Sequence, residues 1–387
     1  MLGSFSVTKL ASKISDKSHH LPDGAGFKNP WASFQSTTPT FSAIGKMLLN
    51  QPTTPQSKDR LKVRPIDFDA LARVRALAPT SNLAKDMSLT WLGHAAFLLN
   101  APGITVLLDP CLSDRCSPVS FAGPQRMVQP PCKLEELDVD VVVISHNHYD
   151  HLDLDVMKKL AVRKPEIIFF VPLGNKNLLV EAGLKNVLEC DWWDSYELRI
   201  PKTDAVQESP KSSSWFKSSS APADLSAQPA IQITCTPCQH FSSRSLFDRN
   251  ATLWSSWFLQ TPTKRFFFGG DTGYRTVRAG DDEDTVPTCP AFKDIRTQLG
   301  SPDLSALPIG AFRPREWLSA VHCSPKDAVD VHTDLQSKKS VGMHWGTFSL
   351  AGDDYWEPRL LLTEELQKRG IPLEDFITVE VGETVVV

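Results

Sequence analysis

The stretch VDVVVISHNHYDHLD, residues 139–153, decides the fold. Its apolar, β-branched residues 141–144 are typical of a buried parallel strand. Beyond Ser145 the stretch presents four metal-type donors, which are His146, His148, Asp150 and His151. Imidazole and carboxylate suit Zn²⁺, Fe or Mn²⁺ without any thiolate, and the sites of α/β proteins lie where strands end. The stretch therefore predicts a metal site at the end of a strand.

The spacing of these donors indicates two ions. His146 and His148 lie two positions apart, so an extended backbone points both side chains to the same side and toward one ion. Asp150 and His151 follow where a predicted helix over residues 152–162 begins, so the turning chain can present them to a second ion. A polar loop with surface histidines is the alternative, but four donors at one strand end favour a metal site. Four residues cannot fill two coordination spheres, so further ligands are expected.

Three later strands end in a donor of the same kind. The strands and their donors are IQITCTPCQHF (231–241) with His240, KRFFFGGDTGY (264–274) with Asp271, and KKSVGMHWGTF (338–348) with His344. A capping aspartate or a core histidine would explain each one alone, whereas the repeated pattern favours a shared centre. Seven donors suit two ions and leave open positions for water and substrate. The predicted arrangement has His146, His148 and His240 on one ion, Asp150, His151 and His344 on the other, and Asp271 as a bridge.

Composition narrows the class of protein. The chain has 387 residues and a formal charge of −4, so it lacks the polybasic signature of a nucleic-acid partner. It has no apolar stretch of transmembrane length, and its first twenty residues lack the apolar core of a secretory signal. Its eight cysteines are dispersed, with a single C-x-x-C at Cys235 and Cys238 that we interpret as ordinary thiols. We expect an intracellular protein, cytoplasmic or peripheral on an organelle membrane, with a mitochondrial location as the weaker alternative.

The chain divides into an N-terminal lead, residues 1–85, and one hydrolase domain, residues 86–387. The lead is rich in Pro, Ser, Thr and Lys, and its segment 41–49 could form a short amphipathic helix that lies on the domain or on a membrane surface. Residues 201–229 are rich in Ser, Pro and Lys and cannot bury enough apolar surface to order themselves. We predict a disordered surface insertion there.

Two further segments carry structural predictions. LTWLGHAAFLL (89–99) and GITVLLDP (103–110) are expected to be the two strands of one hairpin. Asp109, at the end of the second strand, is either a carboxylate that orients a ligand histidine or a turn aspartate before proline. CDWWDSYEL (190–198) is expected to be a strand with an aromatic pair that is exposed or faces a lid.

These motifs resemble the N-acylphosphatidylethanolamine-hydrolysing phospholipase D family of the metallo-β-lactamase superfamily. The H-x-H-x-D-H motif identifies the superfamily, and three further blocks narrow the resemblance to this branch. Those blocks are QHFSSR (239–244), GDTGY (270–274) and HWGTF (344–348), and FKNPWASF (27–34) and TWLGHA (90–95) agree with them. The resemblance implies an α/β fold, the αβ/βα sandwich of two mixed β-sheets flanked by helices.

The resemblance also implies roles for particular residues. The seven donors correspond to a set that binds two Zn²⁺ ions, with Fe or Mn left open as the metal. Tyr149 and His322 match positions that contact the phospholipid substrate, and Asp150, Asp271 and His322 would take part in catalysis. The residue before His322 is usually glutamine in the family, whereas this chain has Val321, so the head-group contact differs here.

The implied reaction is hydrolysis of N-acylphosphatidylethanolamine to N-acylethanolamine and phosphatidate by a hydroxide held between the ions. The expected partners are the phospholipid substrate and a peripheral membrane surface, with no nucleic acid, and a homodimer is left open. One alternative is a lactonase or phosphodiesterase that acts on a small soluble ester, because metal chemistry is shared and the pocket walls choose the substrate. A second alternative is a non-catalytic scaffold that only binds lipid.

Overall fold

The computed structural model describes residues 5–12, 14–36, 57–77, 87–199, 229–245 and 247–387. These residues form two mixed β-sheets with helices on their outer faces. The strands in chain order are β1 (Ser6–Leu10), β2 (Ser88–Gly93), β3 (Ala96–Ala101), β4 (Ile104–Leu108), β5 (Val141–Val143), β6 (Ile168–Pro172), β7 (Val187–Cys190), β8 (Ser195–Arg199), β9 (Pro229–Thr236), β10 (Ser256–Gln260), β11 (Arg265–Phe268), β12 (Leu304–Pro308), β13 (Ser340–Met343), β14 (Phe376–Ile377) and β15 (Thr384–Val386).

The helices lie between these strands. In chain order they are α1 (Phe68–Arg75), α2 (Leu154–Arg163), α3 (Lys176–Glu181), α4 (Ala291–Leu299), α5 (Arg315–Leu318), α6 (Pro325–Leu335) and α7 (Glu357–Arg369), with 3₁₀ turns at Ser57–Asp59 and Leu134–Glu136. None of the helices in the described ranges combines the length and apolar character needed to cross a bilayer.

Each sheet joins antiparallel and parallel pairs. The eight-stranded sheet has the order β1-β8-β9-β10-β11-β12-β13-β14, and its last four strands run parallel. The seven-stranded sheet has the order β15-β2-β3-β4-β5-β6-β7, and β4 to β7 run parallel. Together with the helices, this arrangement confirms the predicted αβ/βα sandwich.

Side-chain alternation explains why the two sheets stack. In β4, Val106 and Leu108 enter a core cluster that both sheets share, whereas Leu107 between them enters a second cluster on the opposite face. This is the period of two that a pleated strand imposes. The shared cluster extends to α4, α6 and α7 on the eight-stranded sheet. The second cluster packs α1, α2 and α3 against the seven-stranded sheet. The predicted helix that follows the metal motif is present as α2.

The hairpin predicted before 103–110 is present, since β3 and β4 pair antiparallel, but the segment 89–99 is not one strand, and that part of the prediction is wrong. It forms the antiparallel pair β2 and β3, which reverses direction at Gly93 and His94. Both residues have left-handed backbone, with φ of 100° and 54°. Glycine adopts this conformation freely, whereas a histidine there must be held by its surroundings. The Thr347 hydroxyl accepts a hydrogen bond from the backbone N–H of His94 at 2.7 Å and supplies part of that restraint.

The segment 190–198 is also not a single strand. It contains the end of β7, a turn, and the start of β8, and these two strands belong to different sheets. Trp193 has a φ of 72°, and the Asp194 carboxylate accepts the backbone N–H of Asp191 at 3.0 Å. Trp192 is not exposed but buried, and its ring stacks on Trp31 with a centroid separation of 5.4 Å. The aromatic pair is therefore part of the packing at this crossing.

The described parts of the N-terminal lead contact the domain. β1 pairs antiparallel with β8 at one edge of the eight-stranded sheet, and Leu71 of α1 is buried in the second cluster. The predicted amphipathic segment 41–49 lies outside the described residues. So do the boundary near residue 85 and the predicted insertion 201–229, apart from Pro229, which begins β9.

Candidate metal centre

The predicted donors meet at one edge of the sandwich. Strands β9, β11 and β13 all run in the same direction. β11 and β13 each pair parallel with β12, and β9 and β11 each pair antiparallel with β10. The motif after β5 lies opposite the ends of these three strands. Strands that run the same way place their carboxyl ends at the same edge. Six of the seven predicted donors are therefore brought into two adjacent groups, and the seventh, Asp271, forms a further group with His240 and His322.

The first group consists of His146, His148 and His240. The Nε2 atom of His146 lies 2.7 Å from Nδ1 of His148, and Nε2 of His240 lies 3.3 Å from the same atom. The Nδ1 atom of His240 donates to the Val321 carbonyl at 2.8 Å, and Nδ1 of His146 lies 2.8 Å from the Ser145 hydroxyl. With their Nδ1 atoms held in this way, His146 and His240 turn Nε2 toward the centre.

The second group contains Asp150, His151 and His344, as predicted, and also His94. Asp150 Oδ2 lies 3.4 Å from Nε2 of both His151 and His344. It lies 2.9 Å from Nε2 of His94. His344, like His94, has a left-handed backbone, with a φ of 64°. Two residues at this point therefore occupy a strained conformation, which is common at functional sites.

Asp271 stands between the two groups. Its Oδ2 atom lies 3.2 Å from His151 Nε2 and 3.1 Å from His344 Nε2, both in the second group. The same atom lies 3.8 Å from His240 Nε2 in the first group. The side chain is 1% exposed, so this carboxylate is shielded from solvent on all sides. Its position matches the predicted bridge.

Asp109 orients a histidine, and the alternative of a simple turn aspartate does not describe it. Its Oδ2 accepts the Nδ1–H of His151 at 2.6 Å, so His151 presents Nε2 to Asp150 and Asp271. The same carboxylate accepts the backbone N–H and the hydroxyl of Ser145, at 2.7 Å and 2.5 Å. A carboxylate behind a ligand histidine fixes its tautomer and raises its basicity.

Charge in the centre fits the binding of cations. Burial acts to raise the pKa of Asp271, but His151 and His344 outweigh it and hold that pKa well below its usual range. Burial acts to lower the pKa of His344, but Asp271 and Asp150 outweigh it and raise that pKa to about 9. Among the described residues, the Nε2 atoms of His151 and His344 and the Oδ1 atom of Asp271 are buried without a hydrogen-bond partner. Converging, unpartnered donor atoms around buried carboxylates are what a metal ion requires.

Tyr149 and His322, the predicted substrate contacts, differ in their contacts with the centre. Burial lowers the pKa of His322 to about 4, and its Nδ1 stands 3.7 Å from Asp271 Oδ2. The Tyr149 hydroxyl donates to the Arg244 carbonyl at 3.1 Å, and the Arg244 guanidinium lies 3.9 Å from the centre of the Tyr149 ring. His322 is therefore near the donors, whereas Tyr149 is fixed at the rim.

Two residues that shape the centre were not predicted from the sequence. His94 falls inside what was expected to be a continuous strand, and its only signal was a polar residue in an apolar run. Arg244 also donates to the carbonyls of Asn147 and Leu152, at 2.7 Å and 3.0 Å, and so holds the loop that carries the donors. Arg244 belongs to the QHFSSR block, but that motif does not indicate which residues Arg244 contacts.

Comparisons with known proteins agree with this geometry. Residues 105–345 match the model of the beta-lactamase superfamily domain. The chain is 38% identical over 304 residues to N-acyl-phosphatidylethanolamine-hydrolyzing phospholipase D 1 of Caenorhabditis elegans, covering 76% of this chain and 74% of that protein. It is 30% identical over 273 residues to the mitochondrial N-acyl-phosphatidylethanolamine-hydrolyzing phospholipase D of Saccharomyces cerevisiae, covering 70% of this chain and 50% of that protein.

A solved structure supports the same fold. The isothiocyanate hydrolase from Delia radicum gut bacteria superposes with a TM-score of 0.51 at 18% identity, covering 78% of this chain and 99% of that one. This chain belongs to the N-acylphosphatidylethanolamine-hydrolysing phospholipase D family of the metallo-β-lactamase superfamily, and it is a metal-dependent hydrolase.

Proposed function

We propose that the protein is a two-zinc phosphodiesterase of the phospholipase D type. It hydrolyses N-acylphosphatidylethanolamine to N-acylethanolamine and phosphatidate. One observation carries the proposal: Asp271 Oδ2 stands 3.1 Å from His344 Nε2 of the second group and 3.8 Å from His240 Nε2 of the first. A carboxylate shared by two donor groups suits a pair of ions that act on one phosphodiester.

The donor set supports zinc as the metal. The first group offers imidazoles and the second adds the Asp150 carboxylate, and within the described ranges every cysteine is free and none belongs to a donor group. Three protein ligands with an open position are typical of catalytic zinc. Two bound ions would lower the pKa of a water molecule toward neutrality and offset the charge that builds on the phosphoryl oxygens.

The protein's own residues orient the reaction. Asp150 accepts hydrogen bonds at the centre and can align the attacking water toward phosphorus, while the P–O bond to the ethanolamine oxygen breaks. The oxygen of water then remains on phosphatidate, and the N-acylethanolamine leaves with a proton. His322 is neutral near pH 7, since burial lowers its pKa to about 4. From its place beside Asp271 the imidazole can donate one hydrogen bond to the substrate phosphate.

A cleft beside the centre, whose lining includes the charged residues Asp114, Asp153 and Lys158, is suited to the polar part of the phospholipid. It encloses about 360 Å³ between residues 113–120 on one side and Tyr149 and Arg244 on the other. Phe121 and Phe247 are 82% and 96% exposed and lie on the two loops that form these walls. Exposed aromatic side chains at the mouth of a site are suited to a lipid surface. We therefore include in the proposal a peripheral position on an intracellular membrane.

Product analysis by mass spectrometry tests the proposal. The metal-replete protein would be given N-acylphosphatidylethanolamine, a soluble phosphodiester and a lactone in parallel. We expect N-acylethanolamine and phosphatidate in equal amounts, and little turnover of the other two compounds. Turnover of the soluble compounds alone would instead assign a small-ester hydrolase, and lipid binding without any product would assign a scaffold. His146→Ala should remove turnover and serves as the inactive control.

A further inference from the structure

The N-terminal lead reaches the centre through residues 29–33. Asn29 donates from Nδ2 to the backbone carbonyl of His240 at 2.8 Å. The Ser33 hydroxyl donates to Oε1 of Gln239 at 2.6 Å. Ser33 is 2% exposed and Gln239 is fully buried, so water does not compete for these bonds. A segment more than 200 positions away in the chain thus contacts a candidate ligand and its neighbour.

Gln239 extends the contact to the other side of His240. Its Nε2 donates to the Ala320 carbonyl at 2.9 Å, and the next carbonyl, that of Val321, accepts the Nδ1–H of His240 at 2.8 Å. The side chain of Gln239 therefore joins Ser33 to the loop that fixes the tautomer of His240. The same loop continues into His322.

The lead is itself held firmly on both sides of this contact. Upstream, Lys17, His19 and His20 all contact the Asp191 carboxylate, with His19 and His20 at 2.7 Å and 2.8 Å. Downstream, the Thr276 hydroxyl accepts the backbone N–H of Gln35 at 2.9 Å, and it donates to the Ser33 carbonyl at 2.7 Å. The lead is therefore anchored to the domain before and after residues 29–33, and it can transmit a fixed position to His240.

We propose that Asn29 and Ser33, with Gln239 as the connecting side chain, are positioning residues for the first metal group. They act through the backbone of His240 and through the loop 320–322, so that His240 Nε2 faces His146 and His148. This inference rests on the proposed assignment of His240 as a metal ligand. The lead thereby contributes to the affinity of the first group for its metal, in addition to the donor residues themselves.

Cobalt binding to the metal-depleted full-length protein tests the inference. The visible absorption of Co²⁺ reports its ligands, and the binding phase that persists in His344→Ala identifies the first group. We expect Ser33→Ala and the isosteric Asn29→Asp each to weaken that phase about tenfold, the low end for partners of ligand histidines. Ser18→Ala is the matched control, because Ser18 is exposed and bonds only within the lead, to Asp16.

A second variant separates positioning from a general loss of stability. Gln239→Glu keeps an acceptor for Ser33 but replaces the amide that donates to the Ala320 carbonyl, so it should weaken the same phase by more than tenfold. If Ser33 acts through Gln239, adding Ser33→Ala to Gln239→Glu should weaken binding by less than tenfold. The second cobalt phase should not change in any of these variants.

The outcomes are distinct. If Ser33→Ala and Asn29→Asp bind cobalt in the first phase as tightly as Ser18→Ala does, the inference is wrong even where their melting temperatures fall. If both cobalt phases weaken equally, the lead supports the fold in general, and the inference is again wrong. If the unaltered protein binds no cobalt, the proposed function and the inference both fail.

Discussion

The two donor groups differ in charge although they adjoin each other. The first group consists of three histidines, and burial lowers the pKa of each of them, to about 4 for His148. The second group contains Asp150 and three histidines. Burial lowers the pKa of His94 to about 3, whereas the pKa values of His151 and His344 are raised because Asp271 and Asp150 outweigh the effect of burial. Without metal, the first group is therefore neutral. The second group instead holds protons where a cation would bind.

This contrast shows how one centre can bind two similar ions unequally. A neutral group of imidazoles binds a cation without first releasing protons. A group that contains carboxylates attracts a cation more strongly, but it must release protons to bind it. Asp271 connects the groups, because its Oδ2 faces donors of both.

Removal of the bridge should have the largest effect. Asp271→Asn keeps the shape of the side chain but removes its charge from both groups, so we expect both metals to bind more weakly and turnover to fall about 10²-fold or more. Elemental analysis of the purified protein, together with turnover of the phospholipid, measures both effects. Asp69→Asn, at an exposed position of α1, is the control and should behave as the unaltered protein. An Asp271→Asn protein with two metals and full turnover would contradict the bridging role.

The pH dependence of metal binding should distinguish the groups. His344 has a pKa of about 9 without metal and is protonated at pH 7, so a cation must displace that proton. Because the pKa of His151 is raised as well, a cation displaces up to two protons, and the affinity of the second group should fall more than tenfold for each unit by which the pH drops below 9. The first group, in which the pKa of His148 is about 4, should keep its affinity between pH 8 and pH 6.

Calorimetric titration of the metal-depleted protein with Zn²⁺ in buffers of different ionisation heat measures this release of protons. Binding to the second group should release protons, and binding to the first group should release few. If both groups released equal numbers of protons, the difference in charge between the two groups would be contradicted.

Asp109→Asn should affect the second group more than the first. The amide that replaces the carboxylate no longer supplies a negative charge behind His151, so affinity for the second metal should fall about 10- to 100-fold. The first metal should lose less affinity, because Asp109 bonds His151 directly but reaches His146 through the Ser145 hydroxyl. Cobalt titration followed by absorption measures the two affinities separately. Weaker binding in the first phase, with the second unchanged, would reverse the assignment of Asp109.

Ser145→Ala should have the smallest effect and should touch both groups. The Ser145 hydroxyl lies 2.8 Å from His146 Nδ1 in the first group and 3.5 Å from His151 Nδ1 in the second. His146 loses the partner of its Nδ1, so we expect a loss of about tenfold in the first affinity. His151 keeps its hydrogen bond to Asp109, so the second affinity should fall only a few-fold. The same cobalt titration measures it, with Ser18→Ala as the control. A large loss confined to one group would show that Ser145 serves that group alone.

Most of the donors in this centre could be predicted from the sequence because they follow a pattern formed by neighbouring residues. A buried strand followed by polar donors is recognisable at β5, β11 and β13 from neighbouring residues alone, and parallel strands bring such ends together. The turn at Gly93 and His94 was missed because its strained backbone depends on Thr347, far along the chain. Ser33 and Arg244 were not predicted for a similar reason, because the residues they contact are distant in the sequence and no local hydrophobic periodicity indicates them.

The most direct test of the account is hydrolysis of N-acylphosphatidylethanolamine in water enriched in ¹⁸O. Attack at phosphorus predicts one ¹⁸O atom in phosphatidate and none in N-acylethanolamine, measured by mass spectrometry after a single turnover. Label in N-acylethanolamine would contradict attack at phosphorus, and label in a released fatty acid would contradict a reaction at the phosphodiester.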